Sequence, residues 1–430
     1  MKLSKKIGLL PALVMGLAAC GGGSDSGTGP TEPSTPQAVV LQGEITSDTT
    51  LTANNQYLLR GAVFVRAGAT LTIQAGTTIF GERSSTGTLI VDRGGRLQAN
   101  GTASAPIVLT SDQPVGSRAR GDWGGLIING FGVINVPGGT AEGEGDTGVY
   151  GGSDPGDSSG NLTFLRVEFA GIEFSPDNEL NGIAFQGVGA NTGCDNLQVH
   201  FNKDDGFEFF GGQISCKHLV STGIGDDSFD WTEGFSGRGQ FWVAQQRGDD
   251  ADQGFESDSS GENNELEPRA NPTIYNVTLL GAPGSGDGNE SDIGMLLREG
   301  TAGRFFNFIV MGFKEEGVVI DGASSQAQAG AGALFLSNSI VHGNGEGNFD
   351  GTTAGFALGW TAISDANPML GDPFNNAAPN FAPQSGSPAT DGSIPVAVPP
   401  SDGFFEAVTY IGAVDPASDF TQGWTTSAQN

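Results

Sequence analysis

Histidine, cysteine and basic residues are all scarce in this chain, and each scarcity argues against a class of function. The 430 residues hold 3 His and 3 Cys, and 19 Lys and Arg stand against 49 Asp and Glu. His200, His218 and His342 fall at no common position of the repeat set out below, which argues against a three-histidine zinc site. A formal charge of −30 would repel a phosphate backbone. It argues against a nucleic-acid partner and favours cations or cationic surfaces. No glycine–lysine phosphate loop occurs, so the 71 glycines serve turns rather than a phosphate cradle. After the opening residues no apolar run is long enough to span a bilayer, and helical periodicity is hard to find after residue 38.

What is present begins with an export signal. In "MKLSKKIGLLPALVMGLAAC", Lys2, Lys5 and Lys6 precede an apolar run over 7–17 that is too short for an ordinary membrane span. Residues 1–19 read as a secretory signal peptide. The end "LAAC" resembles a bacterial lipobox, which implies cleavage before Cys20 and a diacylglycerol on its thiol. Gly at 21, rather than Asp, favours the outer membrane in that class of signal. The plainer reading is a cleavable signal with an incidental Cys. Residues 20–38, rich in Gly, Ser, Thr and Pro, make a flexible tether between the anchor and the folded body. The expected location is therefore a lipid-anchored position on the outer membrane, at the cell surface.

The body is a repeat. "VRAGATLTIQAGT" (65–77) and "VDRGGRLQANGT" (91–102) place Gly68 over Gly94 and Leu71 over Leu97. Apolar and polar residues alternate, as in strands with one buried face. Further on, a Gly–apolar–x–apolar phrase recurs from Gly182, Gly206, Ser228, Gly254, Gly294 and Gly317, and a second strand pattern recurs between these phrases. Matching positions at a near-fixed period predict an all-β fold, a single-stranded right-handed parallel β-helix over 39–364. A β-sandwich explains the alternation but not the period. The register stacks Ile183, Phe207, Phe229, Phe255, Met295 and Val318 in the core. It also sets Cys194 and Cys216 on adjacent coils, close enough for a disulfide in an exported protein. Two stacked thiols are the alternative. Residues 365–430, rich in Pro, Gly and aromatics, are expected to form an irregular cap. In that reading Pro383, Phe404, Phe405, Tyr410 and Trp424 lie over the open end.

The phrase "KDDGFEFFGG" (203–212) and its variants at 225–234 and 249–258 set acids against aromatics. With Phe207 and Phe209 inward, Glu208 points outward, and so do Asp230 and Glu256. Asp204, Asp226, Asp252, Asp292 and Glu315 form a second column along a turn, with Asp205, Asp227 and Asp249 near it. Like charges about 5 Å apart cost roughly 1 kcal/mol per pair in water and several-fold more where shielded. Three readings follow. The columns are a solvated face. Or they bind a hard cation, with Ca2+ held by Asp204, Asp205, Glu208, Asp226, Asp227, Asp230, Asp252 and Glu256. Or repulsion raises one carboxyl pKa for acid–base catalysis, with Arg238, Arg247 and Arg298 at hand as bases. The insertions 135–160 and 257–272, and the stretch 281–292, are expected to project from the wall as recognition loops or decoration.

"GDWGGLIINGFGVIN" (121–135), "NPMLGDPF" (367–374), "PNFAPQSGSPA" (379–389) and "FFEAVTYIGAVDPASDFTQGWT" (404–425) resemble a family of bacterial exported β-helix lipoproteins. The likeness covers nearly all of the mature chain. It implies the fold and location, and a neighbourhood of TonB-dependent outer-membrane receptors for some members, but no catalytic motif. The expected role is non-catalytic: capture or presentation of a glycan or small ligand, with an outer-membrane receptor as partner. A pectate-lyase-like polysaccharide lyase or glycoside hydrolase, and a structural adhesin, are the alternatives.

Overall fold

The computed structural model describes residues 38–175, 178–284, 290–350 and 360–430. The signal peptide, Cys20 and the tether up to residue 37 lie outside the described residues.

Short alternating segments punctuated by glycine cannot bury their apolar faces alone, so each pairs with its equivalent one coil later. Twenty-five strands join in this way, and every pairing among them is parallel. The chain therefore winds as a parallel β-helix, with the first strand Val39–Ile45 at one end and Ile363–Ser364 at the other. Three walls result. The first wall carries the Gly–apolar–x–apolar phrase, in the strands Ile183–Gln186, Phe207–Phe210, Phe229–Thr232 and their neighbours. From residue 160 onward the second and third walls share one long strand per coil, bent in the middle. The bend is a single residue of positive φ at Phe164, Asn196, His218, Phe241, Asn276, Asn307 and Asn338. Asn tolerates that left-handed conformation better than most side chains, which is why it recurs there.

The inward column of the first wall is the expected one. Ile183 pairs with Phe207, Phe207 with Phe229, Phe229 with Phe255, Phe255 with Met295 and Met295 with Val318. All six are fully buried. Phe207 and Phe229 stack with ring centroids 5.5 Å apart. Each such side chain contributes roughly 1.5–3 kcal/mol by leaving water. On the second wall Cys194 and Cys216 are disulfide-bonded, with their Cα atoms 4.7 Å apart.

The C-terminal segment lies elsewhere than the sequence suggested. It does not sit as a lid over the last coil. It runs back along the flank of the solenoid as a strap. Pro395 is held by Asn338, Ala397 by Asn307, Glu406 by Gln240, Tyr410 and Gly412 by Asn276, and Thr426 by Gln198. Side-chain carboxamides thus grip the strap's backbone. The cause is the outer face of the third wall. Val243, Leu280, Ile309, Met311 and Ile340 point outward there, and Phe381, Ile394 and Ile411 of the strap cover them. Tyr410 and Trp424 are buried, and Phe404 and Phe405 lie against Arg238 and Tyr275.

Candidate functional site

One step along each first-wall strand from the inward column lies the outward column. It reads Phe64, Ile90, Ile127 and Ala184, then Glu208, Asp230 and Glu256, then Leu296 and Val319. The acids are stacked as the register requires. They are not exposed, however. Glu208 is 8% and Asp230 9% accessible. This corrects the expectation of a solvated exterior column.

The cover is the insertion 135–160, which does not project. Ala141–Glu142 pairs with Val149–Tyr150 as a small hairpin, and a second hairpin joins Ile172–Ser175 to Asn178–Leu180. Ile134, Tyr150 and Leu180 seat on the outward Ile90, Ile127, Ala184 and Phe210. The Tyr150 hydroxyl donates to Glu233 Oε2 at 3.0 Å, and Asn129 Nδ2 donates to the Thr147 carbonyl at 2.8 Å. The outer apolar residues needed a partner, and the insertion supplies one, shielding the first two acids in the process. The loop 257–272 packs down only at its ends, where Asp258, Ser259, Ser260 and Ala270 are buried and Arg269 donates to the carbonyls of Asn264 and Gly300, while Gly261, Glu262, Asn263, Glu265 and Glu267 stay exposed. Of 281–292, residues 285–289 lie outside the described residues.

The turn preceding these strands carries the second column. The backbone ladder joins Asp226 to Asp252, Asp252 to Asp292 and Asp292 to Glu315. Beside it the side chains themselves form a ladder. Asp205 Oδ1 accepts from the Asp227 N–H at 3.0 Å, Asp227 Oδ1 from the Gln253 N–H at 2.5 Å, and Gln253 Oε1 from the Ile293 N–H at 3.1 Å. Gln253 thus takes the place expected of Asp249, which instead pairs with Arg120 and Arg247. One oxygen each of Asp205 and Asp227 is committed to holding successive coils in register.

Three overlapping groups bring one oxygen from each member within 4.8 Å of the others: Glu179, Asp204 and Asp226; Asp205, Asp226 and Asp227; Asp205, Glu208 and Asp230. Six of the eight expected ligands therefore converge. Asp252 and Glu256 belong to none of the groups. Glu256 and Asp258 are bound by Arg298, at 2.5 and 3.0 Å, and Asp292 by Lys314 at 2.6 Å. No Lys or Arg pairs with any of the six convergent acids among the described residues. Arg238 pairs with Asp402 under the strap and Arg247 with Asp249 and Gln429, so of the three arginines only Arg298 pairs with the outward column.

Burial and mutual repulsion act on these acids together. Burial first, then Glu179 and Asp226, pushes Asp204 up to about 8. Burial raises Asp226 and Asp252 to about 6 and Glu256 to about 8. Asp205, Glu208, Asp227 and Asp230 are pushed well above the usual carboxylate range, burial again leading and neighbouring acids following. Two further oxygens lack partners: Asn181 Oδ1 and Asp230 Oδ1. Asn181 is 2% exposed, and its Nδ2 donates to Glu208 Oε2. A buried amide oxygen and a buried carboxylate oxygen, each without a donor, form a poor arrangement unless a cation completes it. The donor set is all oxygen, which suits Ca2+ with its six to eight ligands at about 2.3–2.6 Å.

Glu179, Asn181 and Glu144 were missed in the sequence. For Asn181 a signal existed: it stands immediately before Gly182, as Asp205 does before Gly206 and Gln253 before Gly254. For Glu144 none did, because only the folding back of 135–160 brings it near.

A family model described as a pectate-lyase like β-helix domain matches residues 43–355. Neither the curated proteins nor the solved structures yielded a match.

Proposed function

The chain belongs to the pectate-lyase-like β-helix family, and on that premise we propose a non-catalytic, Ca2+-dependent binding protein, held at the outer-membrane surface by a lipid on Cys20. The observation that carries this reading is the covered stack of carboxylates. Six acids converge with no Lys or Arg ion-paired to them among the described residues, and Oδ1 of Asp230, one of the six, and Oδ1 of neighbouring Asn181 have no donor. Buried like charges persist only if neutralised by protons or by a bound cation. Asp205, Glu208 and Asp230, with Asn181 Oδ1, would hold one Ca2+. Its role there is to stabilise the first wall and the loops packed over it, as the rigid base of a ligand-presenting surface. Presentation to an outer-membrane receptor fits the lipobox-like sequence at Cys20 and the family resemblance.

The enzyme reading has one feature in its favour. Glu256 and Arg298 stay partly accessible at the edge of the covered stack. Against it, burial lowers the Arg298 pKa but the two carboxylates that clamp it outweigh burial, raise the pKa and keep it protonated, so it makes a poor base. One oxygen each of Asp205 and Asp227 is tied to backbone N–H groups.

Calorimetry of the mature chain with CaCl2 tests the proposal. Binding heat and a rise in Tm of several degrees are expected. No heat and an unchanged Tm would reject the cation. A parallel screen of acidic glycans is expected to give no unsaturated or reducing-end products; turnover lost in Asp230→Asn would establish the enzyme instead. Lipid labelling that survives Cys20→Ala would remove the anchor.

A further inference from the structure

We infer that the insertion 135–160 is a closing cover, coupled to cation binding, and that loss of the cation uncovers an apolar stripe on the first wall. The inference rests on the cation reading above and adds what the cation controls.

The cover is thin. Its regular structure is the two-residue pairing of Ala141–Glu142 with Val149–Tyr150 and one 3-10 turn at Glu144–Asp146 between them. It leaves the wall at Gly138 and Gly139, with φ of 97° and 74°, and returns through Gly151 and Gly160, with φ of 80° and 125°. Short strand pairing and glycine at both ends mark a segment able to hinge away from the wall. Two kinds of contact hold it closed. Apolar seating is the first: Tyr150, with Ile134 just before the insertion, sits on Ile90, Ile127, Ala184 and Phe210. Hydrogen bonds are the second: Tyr150 donates to Glu233, Asn129 to the Thr147 carbonyl, Asn135 to the Ser259 carbonyl, and the Gly151 and Asp154 N–H groups to the Gly130 and Phe131 carbonyls. Opposing them, closure buries Glu208 and Asp230 and brings Glu144 close enough to Glu208 and Asp204 to repel both.

Closure without a cation therefore adds burial and repulsion to carboxylates that have no basic partner. Opening returns those groups to water but exposes the stripe. A cation among the acids removes the penalty on the closed form and has fewer ligands in the open one. Binding and closure must then favour one another by the same factor, because linkage is reciprocal. The unpartnered Asn181 oxygen, immediately after the hairpin strand Asn178–Leu180 that packs on the turn Glu144–Asp146 of the cover, is where such a cation would tie the two elements together.

The test uses the mature chain in CaCl2 or in EDTA, read by limited proteolysis, by fluorescence of a hydrophobic dye and by amide exchange. EDTA is expected to raise cleavage within 136–160 and dye binding several-fold. Exchange on the third wall should not change, and Ca2+ should reverse both effects over the concentrations that give binding heat. Ca2+ binding with identical cleavage and dye signals would overturn this inference and leave the cation site standing. Neither heat nor any change would overturn both. Tyr150→Phe removes the bond to Glu233 and touches no proposed ligand. It is expected to open the cover and weaken Ca2+ binding a few-fold. More cleavage with unaltered Ca2+ affinity would refute the coupling.

Discussion

Two columns of the first wall sit one residue apart on the same strands and obey the same register, yet they solve different problems. Inward, Phe229 stacks on Phe207 and meets Phe255 edge to face, and the three need nothing else. Outward, Glu208, Asp230 and Glu256 stack with the same spacing and repel. A parallel β-helix enforces likeness: whatever one coil puts at a position, the next sets beside it. For apolar residues that repetition is itself stabilising. For acids it is tolerable only with a compensating partner. At Glu256 the partner is Arg298; at Glu208 and Asp230 no Lys or Arg among the described residues forms an ion pair, and Glu208 has only the neutral Asn181 amide as donor. The difference teaches that the repeat determines where groups go, whereas stability depends on what lies beyond the wall.

The sharpest way to break this comparison is to remove one member of the inward column. Phe229 is fully buried and touches Phe207, Phe255 and Trp242. Phe229→Ala is expected to lose about 3–5 kcal/mol, because transfer and cavity terms add. Urea denaturation should show this loss in CaCl2 and in EDTA alike. A loss that depended on Ca2+ would mean that the two faces are not independent.

The outward column should answer differently. Asp230→Asn keeps the shape and removes a charge. In Ca2+ it should weaken cation binding at least tenfold, about 1.4 kcal/mol. In EDTA it should stabilise the fold by about 1 kcal/mol, since one like-charge neighbour of Glu208 and Glu256 is gone. A change of sign between the two conditions is thus the signature of the outward face. Destabilisation of equal size in both would mark Asp230 as an ordinary structural residue.

The sequence revealed the register of the first wall well, because that wall repeats a short phrase at matching offsets. Gly182, Gly206 and Gly254 set the frame, and Phe207 over Phe229 followed from counting. The bend between the second and third walls was harder to see, since its only mark is a recurring Asn at 196, 276, 307 and 338. Exposure was not legible at all. Nothing in "NVPGGTAEGEGDTGVYGG" states that Tyr150 will fold back onto Phe210, because that contact joins an aperiodic insertion to a periodic wall. The strap was misplaced for the same reason. Periodicity reports contacts between equivalent residues, and a segment that crosses coils has no equivalents.

The smallest expected effect lies on the third wall, where the strap provides the cover and no acids are stacked. His200 is buried at the strap's end, its Nδ1 bonded to the Thr222 hydroxyl at 2.7 Å and its Nε2 to the Ala428 carbonyl at 2.7 Å. Burial, with Arg166, Arg247 and Arg120 nearby, lowers its pKa to about 4, although the Ala428 carbonyl pulls the other way. The folded protein therefore keeps His200 neutral, while the unfolded chain takes up a proton near pH 6.5. Stability from this site is whole above about pH 6.5 and is lost as pH falls towards 4. At pH 5.5 the loss should be about 1 kcal/mol relative to neutral pH. His200→Gln retains a donor and an acceptor but cannot titrate. The difference in unfolding free energy between the two proteins should therefore slope with pH only below about 6.5. A parallel pair of curves would show that the imidazole reaches water, and that the strap does not seal its wall as the cover seals the first.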